Sequence, residues 1–174
     1  MESIKELYRI GIGPSSSHTM GPQAAAIQYQ VRHPEAKAFD ITLYGSLAAT
    51  GKGHMTDVAI LRVLEPQGDV TIHWEPATFL PFHPNGMKFA VQQPDGSLFD
   101  EWIVYSIGGG AITDSEIPEK DATDGTQLYP LNTMKEIMAW CQETGHAFWE
   151  YVEQCEGPEI WEYLREIWRV MQEA

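Results

Sequence analysis

Apolar and polar positions fall into two kinds of rhythm along this chain, one with helical spacing and one that alternates. Ser3, with Glu6 three residues later, opens a possible capping box for a short first helix bearing Ile4, Leu7 and Tyr8. Met20, Ala24, Ala25, Ile27 and Val31 then recur at helical spacing until His33-Pro34 stops the run. Phe39, Ile41 and Leu43 alternate with Asp40, Thr42 and Tyr44, the signature of a strand, which Gly45-Ser46 ends. Val58, Ala59, Ile60, Leu61, Val63 and Leu64 form an apolar helical run with a polar start, closed by Pro66. The next strand is Asp69 to Glu75, with Val70, Ile72 and Trp74 on one face. Met87, Phe89 and Val91, the turn Pro94-Asp95-Gly96, and Leu98 to Ser106 make a hairpin. Helix, strand, helix and then several strands predict an α+β fold, a mixed and mainly antiparallel sheet flanked by helices.

The rhythm changes after residue 113. The segment 114–129 is acidic, polar and without apolar periodicity, which predicts a linker or loop. Residues 130–174 predict a helical tail. Thr133 and Glu136 form a capping box for a helix with Ile137, Met138, Trp140 and Cys141, and Gly145 is placed to end it. A short helix carries Phe148, Trp149, Tyr151 and Val152; after Gly157-Pro158 the last carries Ile160, Trp161, Leu164, Ile167, Trp168 and Met171. That helix meets Ala174 with no cap, which reads either as fraying at a natural end or as a longer chain interrupted there. Residues 1–113 are expected to form one domain.

Charge narrows the function. A formal net charge of -14 gives no basic footprint for nucleic acid or an anionic membrane surface. There is no apolar run of membrane-spanning length and no secretory leader pattern, so the cytoplasm is the default compartment. The two cysteines, Cys141 and Cys155, sit in helical segments and read as buried thiols, not as a disulfide framework or a four-ligand metal site.

The candidate chemistry lies in turns. Gly11-Ile12-Gly13-Pro14-Ser15-Ser16-Ser17-His18-Thr19-Met20-Gly21-Pro22 places four hydroxyls and an imidazole just ahead of a helix. Unpaired backbone N–H groups and the helix dipole there suit a carboxylate or phosphate, and a plain serine N-cap is the alternative. Two more histidines share such settings, His54 in Gly51-Lys52-Gly53-His54-Met55-Thr56-Asp57 and His83 in His83-Pro84-Asn85-Gly86-Met87. His33, His73 and His146 do not. Gly45 to Lys52 is no phosphate loop, because five residues separate Gly45 from Gly51 and Gly53 follows Lys52. No zinc-protease spacing and no Gly-x-Ser-x-Gly elbow is present.

These motifs, together with Leu43-Tyr44-Gly45-Ser46-Leu47 and Tyr105-Ser106-Ile107-Gly108-Gly109-Gly110, closely resemble the beta domain of the iron-sulfur L-serine dehydratases, bacterial L-serine ammonia-lyases. The resemblance extends through the segment from Tyr129 to Glu156. It implies conversion of L-serine to pyruvate and ammonia with a 4Fe-4S cluster held by cysteines of a separate alpha, catalytic, domain. This chain lacks that cysteine set, so its expected partners are L-serine and the missing alpha domain or subunit, and no metal site is expected in it. By the same resemblance His54 is the leading base, and Thr56 orients it or the substrate. His83 and Asn85 bound the substrate pocket, and Ser15, Ser16, Ser17, His18 and Thr19 help bind the serine carboxylate. A second resemblance, to the allosteric substrate-binding domain of some 3-phosphoglycerate dehydrogenases, implies instead a regulatory module for a small anion. Whether the chain pairs with itself is open at this level.

Overall fold

The computed structural model describes residue 1, residues 3–114 and residues 128–173. These form two compact units, one built on residues 11–114 and one joining residues 1–10 to the C-terminal helices.

The first unit is a five-stranded sheet with helices packed on it. Its strands are β1 (Ala38–Tyr44), β2 (Asp69–Glu75), β3 (Gly86–Gln92), β4 (Leu98–Gly108) and β5 (Ala111–Asp114), in the spatial order β2-β1-β3-β4-β5. β1 and β2 run parallel and the other pairs antiparallel, so the sheet is mixed and mainly antiparallel, as the element order predicts. The helices are α1 (Gly21–Arg32), α2 (Gly45–Thr50) and α3 (Thr56–Leu64). The parallel pair follows from α2 and α3 crossing between β1 and β2, since a parallel return needs such a crossover.

The core explains the patterning. Phe39, Ile41 and Leu43 of β1 stack with Met87, Phe89, Trp102 and Val104 beneath Ala25, Ala26 and Tyr29 of α1 and Ile60 and Leu64 of α3. The Tyr29 ring lies against Phe39, Phe89 and Trp102, and its hydroxyl donates to the Asp100 carbonyl at 2.7 Å. Alternate residues carry the polar pairs His73–Asp40 and Lys88–Glu101. Asp40 and Thr42 are nonetheless buried, because β1 lies between β2 and β3, whose Thr71, His73 and Lys88 flank them.

Two elements depart from the sequence-based expectation. Gly45-Ser46 does not simply end β1: Gly45, at φ 49°, turns the chain directly into α2. The last strand, β5, pairs back on β4 across Gly108, Gly109 and Gly110, all at positive φ, a conformation that glycine adopts without strain. The expected hairpin turn is present. Gly96 has φ 85°, and Asp95 Oδ1 accepts from the Ser97 amide at 2.9 Å.

The second unit contains α4 (Met134–Thr144), α5 (Phe148–Glu156) and α6 (Ile160–Glu173). The Thr133–Glu136 capping box is formed, and Gly145 at φ 75° terminates α4. The first segment is a single 3-10 turn, Ile4–Glu6, rather than a longer helix, capped by Ser3. Its anchor is a buried carboxylate: Glu156 accepts from Ser3 Oγ (2.7 Å), the Ile4 amide (2.7 Å) and the Tyr129 hydroxyl (2.6 Å). Tyr163 donates to the carbonyls of Lys5 and Tyr8. Of the expected linker 114–129, residues 115–127 lie outside the described residues; Asp114 belongs to β5 and Tyr129 is buried in the helical unit.

Candidate active site

The Ser-His segment is one turn of π-helix, Ser16–Met20, leading without a break into α1. Such wide turns are rare and shift side chains out of helical register. Ser15 caps it, its hydroxyl accepting from the His18 amide at 3.2 Å. The turn continues as α1 because Gly21 lets it lie against β4. A Cβ built on Gly21 would stand 2.8 Å from Ser106 Cβ and closer still to its oxygen. Gly21→Ala is therefore expected to cost about 1–3 kcal/mol in urea unfolding, with Ser106→Gly in the same chain recovering part of the loss.

His18 lies between two hydroxyls, with Nδ1 2.9 Å from Ser17 Oγ and Nε2 3.1 Å from Ser46 Oγ. Burial and the neighbouring His54 lower its pKa below the ordinary 6.5, while the Ser46 backbone opposes the shift, so the ring is neutral at neutral pH. Its ring centroid is 5.0 Å from that of His54. Backbone bonds clamp the two histidine turns reciprocally. The Thr19 hydroxyl donates to the His54 carbonyl at 2.7 Å, and the Thr56 hydroxyl donates to the His18 carbonyl at 2.5 Å. Both threonines are buried, Thr56 completely.

His54 sits just before Met55, a non-glycine residue in the left-handed region at φ 60°. Strain of this kind persists only where the surroundings enforce it, and here the Thr19 and Thr56 clamps lie on either side. Nδ1 of His54 is 3.0 Å from the Thr50 carbonyl. A carbonyl only accepts, so in the neutral ring Nδ1 carries the proton and Nε2 carries the lone pair. His83 has the opposite arrangement. Its Nδ1 accepts from the Asn85 amide at 3.1 Å, leaving the proton on Nε2. One imidazole is set as an acceptor, the other as a donor.

The third turn joins the cluster through its backbone. The Pro84 carbonyl accepts from the Ser46 amide at 3.0 Å, and the Asn85 side chain donates to the Ser106 carbonyl at 3.2 Å. The structure thus brings Ser15, Ser17, His18, Thr19, His54 and Thr56 into one network; His83 and Asn85 reach it through Pro84 and Ser106. Ser16 is exposed at the rim. Sequence reasoning missed Ser46 and Ser106. Gly-Ser after a strand reads as a stop; the available signal was that both serines lie in the motifs Leu43–Leu47 and Tyr105–Gly110 that carry the family resemblance. The three histidines set aside have structural partners: His33 pairs with Asp100, His73 with Asp40, and His146 stacks on Trp140.

The serine dehydratase beta chain family matches residues 3–69 and 62–117, which covers the whole network. The chain belongs to that family. It is 32% identical to L-serine dehydratase 1 of Escherichia coli K12 over 99% of its own length and 48% of the relative's. It is 33% identical to an L-serine dehydratase of Streptomyces coelicolor over 97% of this chain and 48% of that one. A Mycobacterium tuberculosis L-serine dehydratase is 37% identical over 63% of this chain. The chain spans about half the length of the curated relatives it matches. The two family matches overlap at 62–69, where α3 ends and a short turn leads into β2.

The donor set does not fit an iron-sulfur cluster. Such clusters take several thiolates at close spacing; this beta chain has two cysteines, one on α4 and one on α5, both free. Among the described residues no group of three or more His, Cys, Asp or Glu side chains is arranged to hold a metal ion. No helix among them is long and apolar enough to cross a membrane.

Proposed function

We propose that this chain supplies one wall of an L-serine ammonia-lyase site, the wall that binds the amino acid and removes its α-proton. The observation carrying this reading is the pairing of His18 and His54 with ring centroids 5.0 Å apart, on turns held by reciprocal threonine bonds, within a serine dehydratase beta chain. Elimination of water from L-serine needs a base at the α-carbon and an electrophile at the β-hydroxyl. His54 is the base, because the Thr50 carbonyl holds the proton on Nδ1 and leaves Nε2 as the acceptor. Thr56 acts as an orienting residue, since its buried hydroxyl is committed to the His18 carbonyl. The Ser15–Thr19 turn and His18 line the amino-acid pocket. His83, with its proton on Nε2, and Asn85 close that pocket from the β3 side.

The electrophile is not among the donors of the described residues. A cysteine-bearing alpha half, corresponding to the part of the relatives that this chain does not span, holds the 4Fe-4S cluster that would supply Lewis acidity toward the hydroxyl. The beta domain is taken at residues 1–113 and the helical tail at 130–174, with residues 1–10 of the former packing in the helical unit.

Reconstitution tests this directly. The chain mixed anaerobically with a cysteine-bearing alpha half, iron and sulfide is expected to release pyruvate from L-serine, and neither part alone should do so. Calorimetric titration of the chain alone is expected to show weak L-serine binding. Tight binding by the isolated chain, with no turnover after reconstitution, would favour a regulatory module instead.

A further inference from the structure

The helical unit carries more apolar surface than it buries. Among its described residues the buried apolar side chains are Tyr129, Tyr151 and Ile160, and α4 buries none. The surplus gathers on α6. Ile160, Leu164, Ile167, Trp168 and Met171 recur at helical spacing and share one face. Ile160, in the first turn, is fully buried, whereas Trp168 and Met171, toward the other end, are 60% and 64% exposed. Trp161 flanks this stripe, and its ring lies 5.8 Å from that of Trp149 on α5, itself 52% exposed. An apolar surface therefore runs from Trp149 along α6 to Met171. Exposed surface of this extent marks an interaction site.

Charge decides what this surface can meet. The polar face of α6 satisfies itself, because Arg169 bonds both Glu166 and Glu173, about a turn away on either side. What is left to recognise is apolar. Residues 130–174 carry nine glutamates against Lys135, Arg165 and Arg169, a net charge of -6. A second copy of this chain would bring a field of the same sign to the surface, which opposes close approach. A partner with an apolar groove and a basic rim is favoured on both counts. Leu164, Trp168 and Met171, at i, i+4 and i+7, have the spacing of an amphipathic helix that sets its anchors into such a groove. Tryptophan is among the residues enriched where binding energy concentrates.

The candidate site calls for a partner of its own, since the electrophile of the elimination is not among the described residues and the relatives contain a half that this chain does not span. We propose that the α6 stripe is the surface by which the chain holds the cysteine-bearing alpha half, lying in an apolar groove of that half rimmed by lysine or arginine, with Trp168 as the central anchor. That the alpha half is the occupant rests on the dehydratase reading above. The stripe belongs to a different unit from the histidine turns, so docking and chemistry are separable by mutation.

Sedimentation velocity of the full chain with a separately made, cluster-loaded alpha half, in the absence of L-serine, reads docking apart from turnover. The chain alone is expected to sediment as a monomer, and the mixture as a one-to-one complex. Trp168→Glu combined with Met171→Glu should weaken the complex at least about thirtyfold, the loss expected of a central anchor, while Trp168→Phe should keep most of the affinity. Both side chains are largely exposed, so the double variant should fold. Hydrogen exchange of the unaltered chain gives a reading that needs no variant, with the α6 amides slowing when the alpha half is added. Affinity unchanged in the folded double variant, α6 exchange unaffected by the alpha half, or no complex at all overturns the proposal. Self-association of the chain that the double variant abolishes gives the stripe to a second copy and overturns it as well. A complex held through α6 that releases no pyruvate from L-serine counts against the dehydratase reading and leaves the docking surface standing; pyruvate release by a double variant that binds normally does the reverse.

Discussion

If this chain supplies the base as proposed, replacing His54 with Ala in the enzyme reconstituted with a cysteine-bearing half is expected to lower kcat for L-serine about a hundred- to ten-thousand-fold, the usual range for loss of a general base. The KM for L-serine should change little, because His54 is assigned to proton transfer and the Ser15–Thr19 turn to binding. The turn that carries His54 is held by two features that the substitution leaves intact. The Thr19 hydroxyl holds the His54 backbone carbonyl, and the Thr56 hydroxyl holds the neighbouring turn, so the loop itself should keep its shape. A variant that folds normally and turns over near the unaltered rate would remove His54 from the chemistry. Thr56→Val is the companion measurement. It leaves the His18 carbonyl without its buried donor, and is expected to lower stability by about 1–3 kcal/mol as well as activity, which separates an orienting role from a chemical one.

Glu156→Ala should unfold or severely loosen the helical unit, at a cost of about 3 kcal/mol, because a buried carboxylate with three donors is removed and those donors are left unpaired. Urea unfolding followed through the tryptophans of α4, α5 and α6 reads this change. Hydrogen bonds from Tyr129, Ser3 and the Ile4 amide outweigh the cost of burial and hold the Glu156 pKa below the ordinary 4.5. The folded state therefore binds this proton less readily than the unfolded chain. The contribution of Glu156 is fully present above about pH 4.5 and is lost as pH falls through the lower, folded-state value. The same acid limb should be missing from Glu156→Gln; if that variant keeps it, another carboxylate is responsible.

Much of the fold was legible because its signals are local. Periodicity placed β1, β2, the β3–β4 hairpin, α1, α3 and the helices of the tail close to where they occur, and Thr133 with Glu136 marked the start of α4 from side-chain chemistry alone. The elements that escaped are short and depend on distant partners. α2 has six residues, too few to show a period, and it is entered through the positive φ of Gly45. β5 has four residues and exists by pairing with β4. The 3-10 turn at Ile4–Glu6 looked like a longer helix because a capping signal does not state how many turns follow. Its hold on the chain comes from Glu156, more than 150 positions away.

For the candidate site, sequence by itself determined the residue types: three histidines in glycine- and proline-bounded turns, hydroxyls beside them, an acidic chain without the thiolates for a cluster, and motif order sufficient to point to the beta-chain family. Turn residues carry such information because their backbone demands are local. Only the tertiary structure decided which of these groups meet. It set His18 and His54 ring to ring, committed the hydroxyls of Thr19 and Thr56 to backbone carbonyls, gave His54 and His83 opposite tautomers, and placed Ser46 where the turns converge. Tautomer and hydroxyl direction depend on which acceptor stands within about 3 Å, and that distance is fixed by packing between segments that the sequence keeps far apart.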